Sequence, residues 1–150
     1  METILMNMVR IFKGDEVLVL DKKINEGWEG LTFPGGKMEP FETFEEAAIR
    51  EIKEETNLNI RNLRYDGTIV WYESNRRLVG MLYTTSDFSG DLITIGDEGK
   101  LFFQNYLDFL KVKEKSDSME DILSIYNHEY REIYIYFDQA GSVTHKKKLI

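Results

Sequence analysis

The spacing of apolar and polar residues predicts a chain made mostly of strands, with helices in the middle and near the end. Two β-rich runs at 3–12 and 17–20 flank Lys13-Gly14-Asp15-Glu16, a pattern typical of a hairpin. Similar runs predict strands at 31–33, 58–65, 68–72, 78–84, 101–104 and 132–138, with Asp66-Gly67 as a turn between two of them. A last short strand is predicted to end in Lys146-Lys147-Lys148, which we interpret as a solvated tail.

Helical spacing is clearest in the segment that follows residue 43. Thr43 and Glu46 form a T-x-x-E capping box at its start, and Asn57 follows its last turn, where left-handed geometry is favoured. The apolar face of this helix consists of Phe44, Ala47, Ala48 and Ile52. A short helical turn is predicted at 106–110, and a later helix over 119–127 has its apolar face at Met119, Ile122, Leu123 and Tyr126.

The carboxylates of the first helix fall in an unusual place. Glu51 and Glu55 project near the apolar stripe and Glu54 one row aside, whereas a surface helix normally carries its charges on the opposite face. Half-buried carboxylates need partners, and Arg50 alone cannot neutralise these three together with Glu42. Clustered oxygen ligands suit Mg²⁺ or Mn²⁺. The alternative interpretation is a solvated acidic helix with i, i+4 ion pairs.

Composition narrows the classes of protein that remain. The 150 residues suffice for one domain over 1–150, and the net charge of −8 argues against a binder of polymeric nucleic acid or anionic membranes. A small phosphorylated substrate stays compatible with this charge, because a divalent cation reverses the local sign. The chain has no cysteine, no run that approaches a membrane span and no signal-peptide features, so we expect a soluble cytoplasmic protein.

One stretch carries a family resemblance. The run Gly36-x5-Glu42-x7-Arg50-Glu51-Ile52-x-Glu54-Glu55-x-Asn57-Leu58 resembles the Nudix box, G-x5-E-x7-R-E-U-x-E-E-x-G-U, where U is aliphatic. Only the last glycine differs, and Asn57 in its place tolerates left-handed geometry. The family often has glycine just before the first glutamate of the box, where this chain has Phe41. The resemblance implies one Nudix hydrolase domain with its box at 36–58. The implied fold is α/β, an α/β/α sandwich around a mixed β-sheet with a loop–helix–loop catalytic motif.

The resemblance also implies roles for individual residues. A metal ion, Mg²⁺ or Mn²⁺, would be bound by the Gly35 carbonyl and by Glu51, Glu54 and Glu55. Glu51 would take the proton of the attacking water, Arg50 would orient a glutamate, and Glu42 would support the metal ligands. A glutamate from the 96–100 loop would reach the metal. Glu98 is the candidate there, with Asp97 as its neighbour, and Lys37 would lie near the phosphates.

The substrate is a weaker inference from similar features. The pattern Trp28-x-Gly30-x-x-x-Pro34-Gly35-Gly36-Lys37 and the 97–100 loop look like MutT-type members, which hydrolyse oxidised purine nucleoside triphosphates such as 8-oxo-dGTP to the monophosphate and pyrophosphate. Trp28 would then be a wall of the substrate site, or else a core residue. The base edge would be recognised by one of the late acidic residues, for which the candidates are Asp117, Glu120 and Asp121.

Two alternative functions remain open. The first is hydrolysis of ADP-ribose or another nucleoside diphosphate derivative, although many ADP-ribose enzymes of the family carry a proline well after the box and this chain has only Pro34 and Pro40. The second is a Nudix-fold nucleotide sensor without catalysis. The expected partner is a small nucleotide, and the sequence does not distinguish a monomer from a homodimer.

Overall fold

The computed structural model describes residues 1–23 and 29–150, so the role predicted for Trp28 lies outside the described residues. The strands are β1 (Glu2–Lys13), β2 (Glu16–Lys22), β3 (Gly30–Thr32), β4 (Gly35–Lys37), β5 (Asn59–Arg61), β6 (Arg64–Tyr72), β7 (Arg76–Thr85), β8 (Asp87–Ser89), β9 (Ile95–Gly96), β10 (Gly99–Asn105), β11 (Glu132–Phe137) and β12 (Val143–Leu149). The helices are α1 (Phe44–Thr56), α2 (Tyr106–Lys111) and α3 (Met119–Tyr126).

A mixed sheet runs through the molecule in the order β12-β11-β6-β7-β1-β2-β10-β9. β1 runs parallel to β7 and β11 parallel to β6, while the other pairs along this path are antiparallel. One apolar core lies between the sheet and the two later helices, and a second packs the sheet against Ala48 and Ile52 of α1. Helices therefore cover both faces, which confirms the predicted α/β/α sandwich.

The predicted turn at Asp66-Gly67 is wrong. Both residues lie inside β6, at a bulge where the register with β7 shifts between Tyr65 and Gly67. The Asp66 carboxylate is buried and accepts hydrogen bonds from Thr84 Oγ1 at 2.5 Å and Arg64 Nε at 3.0 Å. A dipeptide that normally forms a turn instead forms a bulge, which turns its carboxylate toward the buried Thr84 of β7. The predicted strand at 58–65 correspondingly divides into β5 and the start of β6.

The lysine triplet is not a solvated tail. It lies within β12, which pairs with β11 along its length. Lys146 Nζ lies 2.7 Å from Asp121 Oδ2 of α3, and Lys148 Nζ lies 3.5 Å from the other oxygen of the same carboxylate. Two ion pairs with Asp121 therefore connect the exposed strand β12 to α3. Within the described ranges, no helix has the length and apolarity needed to cross a bilayer.

Candidate active site

The site begins at two glycines, one packed against the sheet and the other against a side chain of α1. Gly35 and Gly36 pair with Met8 and Asn7 of β1. A Cβ on Gly35 would lie 2.1 Å from the carbonyl oxygen of Asn7, and a Cβ on Gly36 would lie 2.2 Å from Glu51 Oε2. Any side chain at either position would clash, so the glycines bring the loop backbone against β1 and the helix carboxylate at once.

Helix α1 is fixed at both ends by local interactions. The Thr43 hydroxyl accepts the Glu46 N–H at 3.0 Å, and the Glu46 carboxylate accepts the Thr43 N–H at 2.8 Å, which confirms the predicted capping box. Asn57 ends the helix with φ of 70°, and its side chain donates to the Asp91 carbonyl at 2.9 Å. Before the helix, Phe41 has φ of 72° and a fully exposed ring. The chain therefore uses left-handed backbone where the family often has glycine.

Arg50 connects the loop to the helix. Its Nε and Nη2 donate to the two oxygens of Glu42 at 2.7 and 2.9 Å, a bidentate pair. Nη1 donates to Glu51 at 2.9 Å and Glu54 at 3.1 Å, and Nη2 also donates to the Lys37 carbonyl at 3.0 Å. The hydrogen bonds from Arg50 and from the Glu39 N–H lower the pKa of Glu42. Arg50 therefore contacts Glu42, Glu51 and Glu54 at once.

Glu55 is the most perturbed acid of the site. Its Oε1 is buried and has no hydrogen-bond partner among the described residues. Burial raises the pKa of Glu55 to about 9, with further increases from the charge and hydrogen bond of Glu98 and the charge of Glu51, while a backbone hydrogen bond from Gly35 lowers it. Three carboxylates and the glycine loop therefore lie close enough to perturb one another. An orphaned acceptor among like charges suits a bound cation.

Glu98 reaches this group from the turn between β9 and β10. Its carboxylate lies 3.6 Å from Lys22 Nζ. Of the two candidates in this loop, Glu98 raises the pKa of Glu55 and lines the cavity beside the glycine loop. Asp97 is exposed to solvent.

The main cleft, a cavity of about 650 Å³, lies beside the glycine loop. Its polar lining consists of Asn7, Lys22, Thr32, Gly35, Gly36, Lys37, Glu51, Arg76, Glu98 and Ser116, and its apolar walls come mainly from β1 and β7, with Phe33 and Trp71. Acidic and basic groups thus meet on one surface. The carboxylates of Glu51 and Glu98 could bind a cation. The side chains of Lys22, Lys37 and Arg76, on the same surface, could bind an anion.

The side chains predicted to bind a metal ion do not converge on one point. Glu54 is 60% exposed and pairs with Arg50, which also holds Glu51. Within residues 1–23 and 29–150, no three Asp, Glu or His side chains are arranged to hold a metal ion. Arg50 binds one oxygen of each carboxylate, Oε1 of Glu51 and Oε2 of Glu54, so a cation would use the other oxygen of each or displace the arginine.

The late acidic residues line a second cavity. This side cavity, of about 740 Å³, shares Trp71 and Ser116 with the main cleft and is bounded by the predicted base-reading residues Asp117, Glu120 and Asp121. Asp121 is buried and neutralised by Lys146, whereas Glu120 is 87% exposed with Lys115 Nζ at 3.6 Å. The structure brings these residues next to the main cleft and not into it.

Several residues that line the main cleft were not predicted as site residues. Lys22, Arg76 and Trp71 belong to strands that carry no motif, and sequence spacing gave no signal for them. Asn7 did leave a signal, since it is a polar residue inside the aliphatic run of β1. Its place opposite Gly36 becomes visible only through the pairing of β1 with β4.

A mixed sheet between helices, with a glycine loop and a carboxylate-bearing helix at its edge, defines an α/β protein of MutT-like fold. The chain belongs to the NUDIX domain family, which matches residues 4–124. Among solved structures, the mutator MutT protein of Bacillus halodurans has a TM-score of 0.79 at 18% identity, covering 97% of each chain. An ADP compounds hydrolase has a TM-score of 0.65 at 18% identity, covering 84% of this chain and 71% of its own.

Curated relatives resemble parts of the chain. The NAD-capped RNA hydrolase NudC of Haemophilus influenzae (strain PittEE) is 37% identical over 90 residues, 59% of this chain and 33% of NudC. YtkD of Bacillus subtilis (strain 168), whose name assigns it as an 8-oxo-dGTP diphosphatase, is 58% identical over 38 residues, 25% of this chain and 24% of YtkD. The chain thus spans about a third or less of the length of these relatives.

Proposed function

We propose that this protein is a metal-dependent hydrolase that cleaves a diphosphate linkage in a nucleotide. The observation that carries the proposal is Glu55, whose buried and unpartnered oxygen lies among Glu51, Glu98 and the Gly35 backbone. Burying like charges together is costly unless a cation compensates them. Membership of the NUDIX domain family supports the same class of reaction.

The residues fit a divalent cation such as Mg²⁺ or Mn²⁺. Hard oxygen donors suit these ions, and Glu51, Glu54, Glu55 and the Gly35 carbonyl would hold them, with Glu98 joining from the β9–β10 turn. When bound, the ion would neutralise phosphate charge and lower the pKa of the attacking water. The orphaned oxygen of Glu55 supports this assignment.

The protein's own groups supply the remaining chemistry. Glu51 faces the main cleft beside Gly36 and would accept the proton of the attacking water. Arg50 and Glu42 form a bidentate pair that keeps the loop and the helix in register, as partners of ligating groups do. Lys22, Lys37 and Arg76 line the same cleft and would orient the phosphate chain.

For the substrate, we propose a purine nucleoside triphosphate, oxidised as in 8-oxo-dGTP, cleaved to the monophosphate and pyrophosphate. The MutT-like fold and the similarity to YtkD support this choice. An oxidised purine gains an N–H donor, and the side cavity offers carboxylate acceptors at Asp117 and Glu120. Asp121 is the weakest candidate of the three, because Lys146 already occupies its carboxylate. We further propose a cytoplasmic location, which a chain without cysteine suits.

A second candidate is the diphosphate of a dinucleotide or of a nucleoside diphosphate derivative. The 37% identity to NudC over 90 residues favours it, and the two adjoining cavities would accommodate two moieties joined by a diphosphate. A third candidate, a sensor that binds nucleotide without turnover, is disfavoured because every carboxylate of the box is present.

One panel of assays separates these candidates. The purified chain is incubated with Mg²⁺ or Mn²⁺ and normal or oxidised nucleoside triphosphates, ADP-ribose or NAD, and nucleoside monophosphate, phosphate and pyrophosphate are detected separately. Pyrophosphate release that requires the metal and favours an oxidised purine supports the first candidate. Cleavage of NAD or ADP-ribose at higher kcat/KM supports the second, and tight binding without turnover overturns the hydrolase proposal.

A further inference from the structure

Asn7 presents an unsatisfied donor at the main cleft. It is 5% exposed, in the middle of β1, and its Oδ1 accepts the Gly36 N–H at 3.3 Å. Its Nδ2 is buried and has no hydrogen-bond partner among the described residues. A buried donor without an acceptor destabilises a fold, so such a group calls for a water, an ion or a ligand that satisfies it.

The direction of this donor is fixed by its neighbours. The amide group is planar, so the hydrogen bond that holds Oδ1 to Gly36 also sets where Nδ2 points. Asn7 and Gly36 are paired across β1 and β4, and the space of a Gly36 side chain is filled by Glu51. All three residues line the main cleft.

Two of the buried side-chain atoms that lack partners in the described ranges lie at this site, and they are of opposite kind. Glu55 Oε1 is an acceptor beside Gly35, and Asn7 Nδ2 is a donor beside Gly36. A cation would satisfy the acceptor, and an anion held by that cation would satisfy the donor. The third such atom, Gln104 Oε1, belongs to β10, outside both the box at 36–58 and the lining of the cleft.

We propose that Asn7 Nδ2 donates a hydrogen bond to a non-bridging phosphate oxygen of the bound nucleotide. The inference rests on the proposed function, because it assumes that a phosphate chain enters this cleft. An amide N–H is a donor only, and the neighbouring cations Lys22, Lys37 and Arg76 make the same surface suited to an anion. Movement of Glu51 from Arg50 to a cation would open the space beside Gly36 to that oxygen.

Two substitutions test the donor. Asn7→Leu removes the amide while keeping the branching and the number of heavy atoms of the side chain. Asn7→Asp keeps an acceptor for the Gly36 N–H but replaces the donor with a negative charge. Because Asn7→Leu removes the unsatisfied donor together with the acceptor of the Gly36 N–H, we expect only a small change in the melting temperature of the metal-free protein. It should weaken the binding of ADP with Mn²⁺ by roughly 10- to 100-fold, the effect of one hydrogen bond to a charged group. Asn7→Asp should weaken ADP binding further while leaving the affinity for Mn²⁺ alone undiminished.

Gln104→Leu is the matched control, because it removes another amide with a buried unsatisfied atom away from the cleft. It should leave the affinity for ADP with Mn²⁺ unchanged in calorimetry. If Asn7→Leu does not fold, Asn7→Asp and Asn7→Thr carry the binding comparison.

The outcomes separate this inference from the proposed function. Unchanged ADP affinity in the Asn7 variants, with a lower melting temperature, would show that Asn7 is structural and would overturn the inference. If the wild-type protein hydrolyses no nucleotide but Asn7→Leu still weakens ADP binding, the inference stands and the hydrolase proposal fails. Turnover in the wild type together with unaltered KM and ADP affinity in the variants refutes only the role of Asn7.

Discussion

The carboxylate of Glu51 occupies the space into which a side chain on Gly36 would project. A Cβ built on Gly36 would lie 2.2 Å from Glu51 Oε2. The glycine of the loop and the glutamate of the helix therefore determine each other's position, although 15 residues separate them in sequence.

Gly36→Ala should displace Glu51 and reduce kcat/KM on the order of 100-fold, as displacement of a catalytic group by about 1 Å can do. Circular dichroism should still report a folded protein, since the loop lies at the edge of the sheet. Gly14→Asn is the control, because nothing lies within 4 Å of a Cβ there and Asn tolerates the φ of 62°. Normal activity of Gly36→Ala would contradict the role of this contact.

Glu54→Gln should remove most turnover, by at least about 100-fold, while leaving the fold intact. The side chain is 60% exposed and contacts Arg50, so its removal costs little packing. The measurement is steady-state turnover over a titration of Mg²⁺, with Glu45→Gln on the exposed part of the same helix as the control. Near-normal activity of Glu54→Gln at saturating Mg²⁺ would refute the metal assignment.

Arg50→Lys should lower kcat/KM about 10-fold or more, because a lysine cannot form the bidentate pair with Glu42 and also bind Glu51. A double-mutant cycle with Glu42→Gln tests the physical reason. If the two residues act as one clamp, the double variant should be scarcely worse than either single variant. Additive losses would indicate that Arg50 and Glu42 act separately.

The metal-free protein should lose stability as pH rises from about 5 to 9. Burial and Glu98 raise the pKa of Glu55 to about 9 from its ordinary 4.5. In that window the folded state holds a proton that the unfolded state releases, so the free energy of unfolding falls with increasing pH. Glu55→Gln stays neutral throughout, and its melting temperature relative to wild type should rise across the window.

The same pKa has a consequence for cation binding. At pH 7.5 the Glu55 carboxyl should release a proton when Mn²⁺ binds, which calorimetry in two buffers of different ionisation enthalpy would detect. Glu55→Gln should lose this release. If the melting temperatures of the wild type and of Glu55→Gln change with pH in parallel, the prediction that Glu55 is protonated in the metal-free protein is wrong.

Signals in a few neighbouring residues predicted helix α1. The bulge in β6 was not predicted, because it depends on pairing with a distant strand. The capping box at Thr43 and the left-handed end at Asn57 are properties of a few consecutive residues, and the structure has both. Asp66-Gly67 has the composition of a turn, but the pairing of β6 with β7 places it in a bulge, where Thr84 of β7 donates to the Asp66 carboxylate. Local propensity contains no information about such partners.

The candidate site divides in the same way. The box residues share one helix, and the sequence predicted that Glu51 and Glu55 turn toward the core. The approach of Glu98 to Glu55 spans 43 residues and depends on the turn between β9 and β10. Asn7 lies beside Gly36 because β4 pairs antiparallel with β1. The hydrophobic pattern of neither strand predicts this pairing.

Trp71 stands in the wall common to the main cleft and the side cavity. The chain has one other tryptophan, Trp28. In a Trp28→Phe background, the indole of Trp71 becomes a single built-in fluorophore that borders both compartments. Its emission should then report the arrival of a nucleotide in either compartment in real time, without a label and without waiting for a product to form.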